Sequence, residues 1–185
     1  MGTFRSLLSQ SFGPYGDLSA HQLDLLEQHF ALMMRWNRKI NLTRITELLE
    51  VVQFHYCESL YLANELPKIP LRVVDIGAGA GFPGIPLAVL RPDCSVNLVE
   101  SHQRKAVFLR EAARQLENVE VIAARAEECS QSYDWCISRA VRAEDVVRLR
   151  LASNFAILTS GTAGIKLPWG LDRRLQLFHV ERQAT

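Results

Sequence analysis

Three glycines at alternate positions, Gly77, Gly79 and Gly81, follow the apolar run VVDI and precede Pro83, a residue suited to the first turn of a helix. A strand that breaks into such a loop can bring its backbone close to a ligand, because glycine takes positive φ and has no Cβ in the way. The amides that open the following helix are expected to receive a polar ligand tail. The register Gly79-x-Gly81-x-x-Gly84 also satisfies the dinucleotide pattern, so the glycines by themselves admit a nicotinamide cofactor such as NAD and an oxidoreductase. Asp75 argues against that, since a carboxylate two residues before the first glycine repels a pyrophosphate and attracts an ammonium or a sulfonium. The methionyl end of S-adenosylmethionine carries both, and Asp75, Gly77, Gly79 and Gly81 are its expected contacts.

Glu100 closes the next apolar run, SVNLVE, at about the twenty-residue offset where an acid in such folds accepts from ribose hydroxyls. That suits an adenosine and disfavours a 2′-phosphate. Past the third run, Arg125, Ala126, Glu127 and Glu128 fall at the carboxyl edge, where an adenine amino group can be received. The fourth run ends in Ile137-Ser138-Arg139-Ala140, and the crevice of an open α/β sheet lies outside the strand carboxyl ends, which aims Arg139 at the site. A guanidinium there takes a methionyl carboxylate, a nucleic-acid phosphate or the acceptor edge of a guanine; an ion pair with Asp75 or Glu144 is the structural alternative.

The elements that must hold these residues are legible in the apolar periods. Leu23, Leu26, Phe30, Met33 and Met34 recur at helical spacing between Ser19 and about Lys39, and Ser19 with Gln22 fits a capping box. Asn41-Leu42-Thr43 interrupts the period, and a second helix is expected from about Thr46 to Leu66, ended by Pro67 and Pro70. The runs LRVVDI, SVNLVE, VEVIAA, DWCISR and FAILTS then alternate with helix-length segments at 83–91, 102–116 and 142–151. Such alternation gives an α/β fold, a doubly wound and mostly parallel sheet with helices on both faces. RRLQLFHVER is expected to add an edge strand. Residues 1–66 form a helical cap and 67–185 the nucleotide-binding-like domain, together one compact unit.

Composition sets the outer bounds. The 185 residues are 48% hydrophobic and 22% charged, which excludes disordered and low-complexity classes. Lys+Arg 21 against Asp+Glu 20 leaves a net charge of +1, so any anionic partner must meet a local patch. Cys57, Cys94, Cys129 and Cys136 form no Cys-x-x-Cys pair and no histidine stands near them at ligand spacing, so reduced thiols, a cytoplasmic location and no metal are expected. The longest apolar stretch, FPGIPLAVL, holds two prolines and is far short of the ~20 residues that span a bilayer.

On RWNRKINLT (35–43), HYCES (55–59), DIGAGAGFPGIPLA (75–88), RKAVFL (104–109), LENVEVIAARAEE (116–128) and ISRA (137–140), the chain resembles the RsmG family, also called glucose-inhibited division protein B. The family's members are ribosomal RNA small-subunit guanine-N7 methyltransferases. The resemblance implies a Rossmann-like S-adenosylmethionine-dependent methyltransferase acting on 16S ribosomal RNA, with ribosomal RNA in a small-subunit particle as the expected partner, Gly77, Phe82, Ala126, Glu127 and Arg139 at cofactor-contacting positions and Glu100 on the ribose. His55 falls in a family motif, and Arg104 and Lys105 open the helix after the second strand; these, with Arg139, are the expected substrate contacts. The chain departs from the family after its fifth strand, where Leu158-Thr159-Ser160-Gly161 replaces a lysine and glycine, at Glu58, where an aspartate is usual, and between Gly161 and Arg173, where it is too short for the usual helix and strand. A non-catalytic RNA-binding relative is the alternative those departures raise.

Methyl transfer from a sulfonium to guanine N7 is an in-line displacement by a lone pair that carries no proton, so no general base is required. RNA phosphates are expected to follow Arg35, Arg38, Lys39 and Arg44, then Arg104 and Lys105, then Arg139, Arg142, Arg148 and Arg150.

Overall fold

The computed structural model describes residues 2–181. The apolar runs form parallel strands β1 (Arg72–Ile76), β2 (Ser95–Val99), β3 (Val119–Ile122), β4 (Trp135–Arg139) and β5 (Asn154–Ser160). Two antiparallel additions, β6 (Ile165–Lys166) and β7 (Arg173–His179), complete a seven-stranded sheet in the order β3-β2-β1-β4-β5-β7-β6. The chain winds outward from β1 to β3 and then returns to β4 on the other side, so the order reverses between β1 and β4. The run 173–179 therefore lies inside the sheet rather than at its edge, paired along its whole length with β5, and the two-residue β6 takes the edge. Residues 161–172 carry that short strand and no helix.

The strands are apolar on both sides because both faces are covered. Val73, Leu98, Ile137 and Leu158 belong to one buried cluster, and Val74, Ile76, Val99, Phe155 and Ile157 to the other. The connecting helices are α5 (Gly84–Leu90), α6 (Gln103–Ala112) and α7 (Ala143–Arg148), numbered after four N-terminal ones.

Those four pack on the first face and have no core of their own: Phe4, Leu8, Leu26, Tyr56 and Leu60 share a cluster with Val73, Ile85 and Leu98. Helix α2 (Ala20–Asn37) starts at the expected capping box, with Ser19 and Gln22 bonded to each other's backbone. Helix α1 (Phe4–Phe12) was not expected. Its signal is the four-residue spacing of Phe4, Leu8 and Phe12, all buried, and the N-cap Thr3; Arg5 anchors it to Asp24 and Glu27 of α2. The second expected helix runs through α3 (Leu48–Val51), a π-helical segment (Val52–Cys57) and α4 (Glu58–Glu65). The π-helical widening falls on HYC of the HYCES motif, the sort of position where such turns re-aim side chains toward a site. Among the described residues no helix is long and apolar enough to cross a membrane, and no three His, Cys, Asp or Glu are grouped to hold a metal ion.

Candidate functional site

Where β1 ends, Gly77, Gly79 and Gly81 all take positive φ, at 71°, 57° and 86°. Gly77 and Ala78 donate to the Val99 carbonyl at 3.0 and 3.1 Å, and Gly79 donates to Glu100 Oε2 at 3.0 Å. The other oxygen of Glu100 accepts from the His102 amide at 2.8 Å. One carboxylate thus ties the loop after β1 to the loop after β2. A Cβ on Gly79 would meet only the Gly77 carbonyl oxygen, at 3.7 Å, so this glycine borders open space. Gly81 does not: it is buried, and a Cβ there would come within 2.5 Å of Ile85 Cδ1 and 3.2 Å of His29 Nε2. The expected cofactor contact at Gly81 is corrected to close packing of the loop on α5 and α2.

Asp75 is corrected as well. Side chains alternate along β1, so Asp75 shares the inner face with Val73 and is fully buried beneath α5. Its Oδ2 accepts from the Gly84 amide at 2.8 Å, and Oδ1 has no hydrogen-bond partner. A Cβ on Gly84 would fall 2.7 Å from Oδ2 and 2.3 Å from Leu98 Cδ2, so only glycine fits there. Asp75 caps the start of α5 from inside, and the amide once expected to meet a ligand is spent on it. Burial pushes its carboxyl up to about 7, against the pull of that hydrogen bond and of Arg139.

Two cavities flank the reversal of strand order, the place where open α/β sheets bind ligands. One of about 540 Å³ is lined by Ile76, Gly77, Val99, His102, Ala126 and Glu127, at the ends of β1, β2 and β3. The second, of about 460 Å³, lies at the ends of β4, β5 and β7 and is lined by His55, Arg139, Val141, Thr159, Ser160 and Arg173. Gly77 lines the first, Val141 the second, and a Cβ on Gly77 would lie 3.3 Å from Val141 Cγ2. Ala140, at the end of β4, holds φ at 64°, a conformation costly for any residue with a Cβ and typical of functional loops.

Arg139 is placed from behind by a relay that the sequence did not disclose. Asn37 accepts the amides of Leu42 and Thr43 on Oδ1 and donates to the Thr43 carbonyl, which shapes the turn after α2. Thr43 Oγ1 meets His55 Nε2 at 2.8 Å, and Arg139 Nη1 donates to His55 Nδ1 at 2.6 Å and to the Phe54 carbonyl at 3.2 Å. A guanidinium has no lone pair to offer, so Nδ1 must accept and the imidazole proton resides on Nε2. Burial and the neighbouring Arg139 pull His55 down to about 3, which keeps it neutral. Phe82, expected to touch the cofactor, is buried instead; its ring lies against His55 and Tyr56 and carries the Arg139 guanidinium 5.0 Å above its centre. Desolvation lowers Arg139 to about 10, so it stays charged at neutral pH.

Of the other expected residues, Ala126 and Glu127 line the first cavity, and His55 and Arg139 the second. Arg104 is exposed and Lys105 half-buried on α6, and neither lines either cavity. Within the basic set, Arg35 is paired with Glu111, and Arg142 and Arg148 with Asp145. The buried thiols of Cys57 and Cys136 are pushed far up by desolvation, which removes them as nucleophiles. Sequence reasoning missed Glu58 and Arg173, a bidentate pair at the back of the second cavity.

The buried titrating groups predict how stability varies with pH. His55 and His29 have folded values of about 3 and about 4, below the ordinary 6.5, so only the unfolded chain binds protons there as pH falls from about 6.5. Each histidine then costs about 1.4 kcal/mol of stability per pH unit. Asp75 acts oppositely: its folded carboxyl takes a proton near pH 7 and the unfolded one only near 3.8, so acidification through that window favours the native state. In Asp75→Asn this compensation is gone, and urea titrations between pH 7 and 4 are expected to show a loss on acidification steeper by about 1.4 kcal/mol per pH unit. An unchanged slope contradicts a buried, protonated Asp75.

The family model described as rRNA small subunit methyltransferase G matches residues 22–154. Curated relatives named ribosomal RNA small subunit methyltransferase G include one from Roseiflexus castenholzii, 40% identical over 132 residues, covering 67% of this chain and 56% of that one. Another, from Mycoplasma mycoides subsp. mycoides, is 42% identical over 108 residues, covering 57% of this chain and 79% of that one. The chain spans little more than half the length of several of these relatives, 55% and 56% for two of them. In fold it is similar to a candidate protein-L-isoaspartate O-methyltransferase from Plasmodium falciparum solved with S-adenosyl-L-homocysteine, at 13% identity and a TM-score of 0.51, covering 97% of this chain and 95% of that one. Coclaurine N-methyltransferase gives a TM-score of 0.53 at 16% identity, covering 85% of this chain and 56% of that one. A match that takes in the loop after β1, Glu100, the relay residues Asn37, Thr43 and His55, and Arg139 places this chain in the rRNA small subunit methyltransferase G family.

Proposed function

We propose that the chain is an S-adenosylmethionine-dependent methyltransferase acting on N7 of a guanine in 16S ribosomal RNA, in the cytoplasm, with a small-subunit particle as the form of the substrate. The observation that carries the cofactor is the Gly79–Glu100 cradle. Each oxygen of Glu100 accepts one backbone N–H and keeps lone-pair capacity for a ribose hydroxyl, beside a glycine whose missing side chain leaves space. Family membership and the cavity over β1, β2 and β3 support the same assignment, and Ala126 and Glu127 line the part of that cavity nearest β3. With Asp75 buried, the ammonium group is left to the Gly77 carbonyl, whose oxygen lies 3.7 Å from where a Cβ on Gly79 would be.

S-adenosylmethionine, when bound, supplies a methyl group on a sulfonium. The protein's share is alignment and field. Gly77 and Gly79 allow close approach, Glu100 fixes the sugar, and Arg139, locked by His55 and Phe82, holds a positive charge at the β4 end next to the acceptor cavity. His55 is neutral with both nitrogens engaged, so it does not serve as a base, and N7 requires none. The antiparallel β7 inserted between β5 and the edge strand departs from the 3-2-1-4-5-6 strand order of dinucleotide-binding folds, which weighs against the NAD alternative now that Asp75 no longer does.

Calorimetric titration with S-adenosylhomocysteine, with NAD alongside, and transfer of labelled methyl to 16S RNA from cells lacking this protein test the reading. Binding of the first and labelling of one guanine are expected. No binding of S-adenosylhomocysteine removes the reading; RNA binding without transfer favours the non-catalytic relative.

A further inference from the structure

Arg173 is the second guanidinium in the cavity at the ends of β4, β5 and β7, and the methyl-transfer chemistry above leaves it without a role. It opens β7, opposite Ser160 of β5 in the antiparallel register. Glu58, fully buried on α4, accepts from its Nε at 2.7 Å and from Nη2 at 2.5 Å, while Nη1 lies 3.4 Å from Ser160 Oγ. A guanidinium presents five N–H groups in a rigid plane. Glu58 takes two from behind and Ser160 one, which leaves two donors on a side chain that lines the cavity and retains 24% of its exposure.

The cavity's field is positive. Arg139 and Arg173 line it, together with the hydroxyl residues Thr159 and Ser160 and with Arg142, whose charge is paired with Asp145; among the described residues no carboxylate lines it. Glu58 neutralises part of the Arg173 charge from the far side but sits out of reach of a ligand. Arg173 stands three strand spacings from β1, about 14 Å, so a cofactor lying on the loop after β1 does not extend to it. What reaches Arg173 is the acceptor. A guanine that is to be methylated at N7 must keep that lone pair free, so the fork cannot rest on its O6 and N7 edge. A phosphodiester oxygen pair fits a guanidinium fork and leaves the base unblocked.

We propose that Arg173, clamped by Glu58 and flanked by Ser160, binds a backbone phosphate of the acceptor RNA beside the nucleotide being modified. This rests on the reading of the chain as an RNA methyltransferase and names the residue that seats its substrate. The Glu58→Gln/Arg173→Gln double variant removes both charges of the pair at constant net charge and near-constant volume, a change that buried ion pairs often tolerate.

Fluorescence anisotropy of a short single-stranded RNA of mixed sequence, measured across a salt series, reads the contact directly. The double variant is expected to bind about tenfold more weakly, as for one lost charge-assisted contact, and the slope of log K against log salt is expected to fall by about 0.7. Its affinity for S-adenosylhomocysteine and its melting temperature stay near the native values. Arg173→Lys keeps the slope and loses affinity, because the charge remains and the fork does not. A double variant that melts as the native protein does and keeps both slope and affinity shows Arg173 to be only the partner of Glu58. No RNA binding by the native protein also overturns the proposal, and the cofactor titration then reports separately whether the methyltransferase reading stands.

Discussion

Replacing Arg173 by alanine is expected to cost about 3 kcal/mol of folding stability, within the range seen when one member of a buried ion pair is removed. Glu58 is fully buried, and its two oxygens accept from Nε and Nη2 of Arg173. Burial above all drives the Glu58 carboxyl upward, with Arg173 as the chief opposing influence. Without the guanidinium the carboxylate must either remain charged in an apolar setting or take a proton, and both raise the free energy of the native state at neutral pH. The Glu58→Gln/Arg173→Gln double variant is expected to recover most of the loss, since no charge is then left buried alone. Urea denaturation of the three proteins at pH 7 checks this. A loss below about 1 kcal/mol in Arg173→Ala, the range of solvated pairs, contradicts a desolvated pair.

Glu100→Ala is expected to weaken S-adenosylhomocysteine binding by about a hundredfold or more. Three acceptor duties end together: to the Gly79 amide, to the His102 amide and to the proposed ribose. Hydrogen bonds from the ribose hydroxyls to a charged acceptor are worth about 1.5–3 kcal/mol each, and the loop after β1 loses the tie that fixes its shape against β2. Glu100→Gln keeps the volume but has a single carbonyl oxygen, so it cannot serve both amides, and its affinity is expected to fall between the two. Calorimetry resolves these steps, and near-UV dichroism reports whether the fold survives. Equal affinity in all three proteins removes Glu100 from the cofactor site.

The strands and their order of use were legible in the sequence because parallel strands covered on both faces must read as continuous apolar runs. LRVVDI, SVNLVE, VEVIAA, DWCISR and FAILTS each become a strand within a residue or two of expectation. The capping box at Ser19 was legible for a local reason too, since its partners lie three residues apart. The interior of the site was not. The face on which Asp75 lies depends on strand phase and on α5 covering it, and the available clue was Gly84, the one residue small enough to sit against it. Arg139 lies at the strand ends, where it lines the second cavity, but its partners His55 and Phe54 lie more than eighty positions earlier, and Glu58 and Arg173 are separated by 115. No short-range pattern encodes such pairs. The π-helical segment that brings His55 and Glu58 to one wall also escapes periodicity, because a single widened turn shifts the phase of the apolar residues without interrupting them.

A crystal of the protein soaked with S-adenosylhomocysteine bears most directly on the whole account. Density is expected over the carboxyl ends of β1 and β2, with both ribose hydroxyls on Glu100, the amino acid end against Gly77 and Gly79, and Asp75 still bonded to Gly84 beneath the loop. A ligand seated elsewhere, or a ribose that leaves Glu100 untouched, contradicts it.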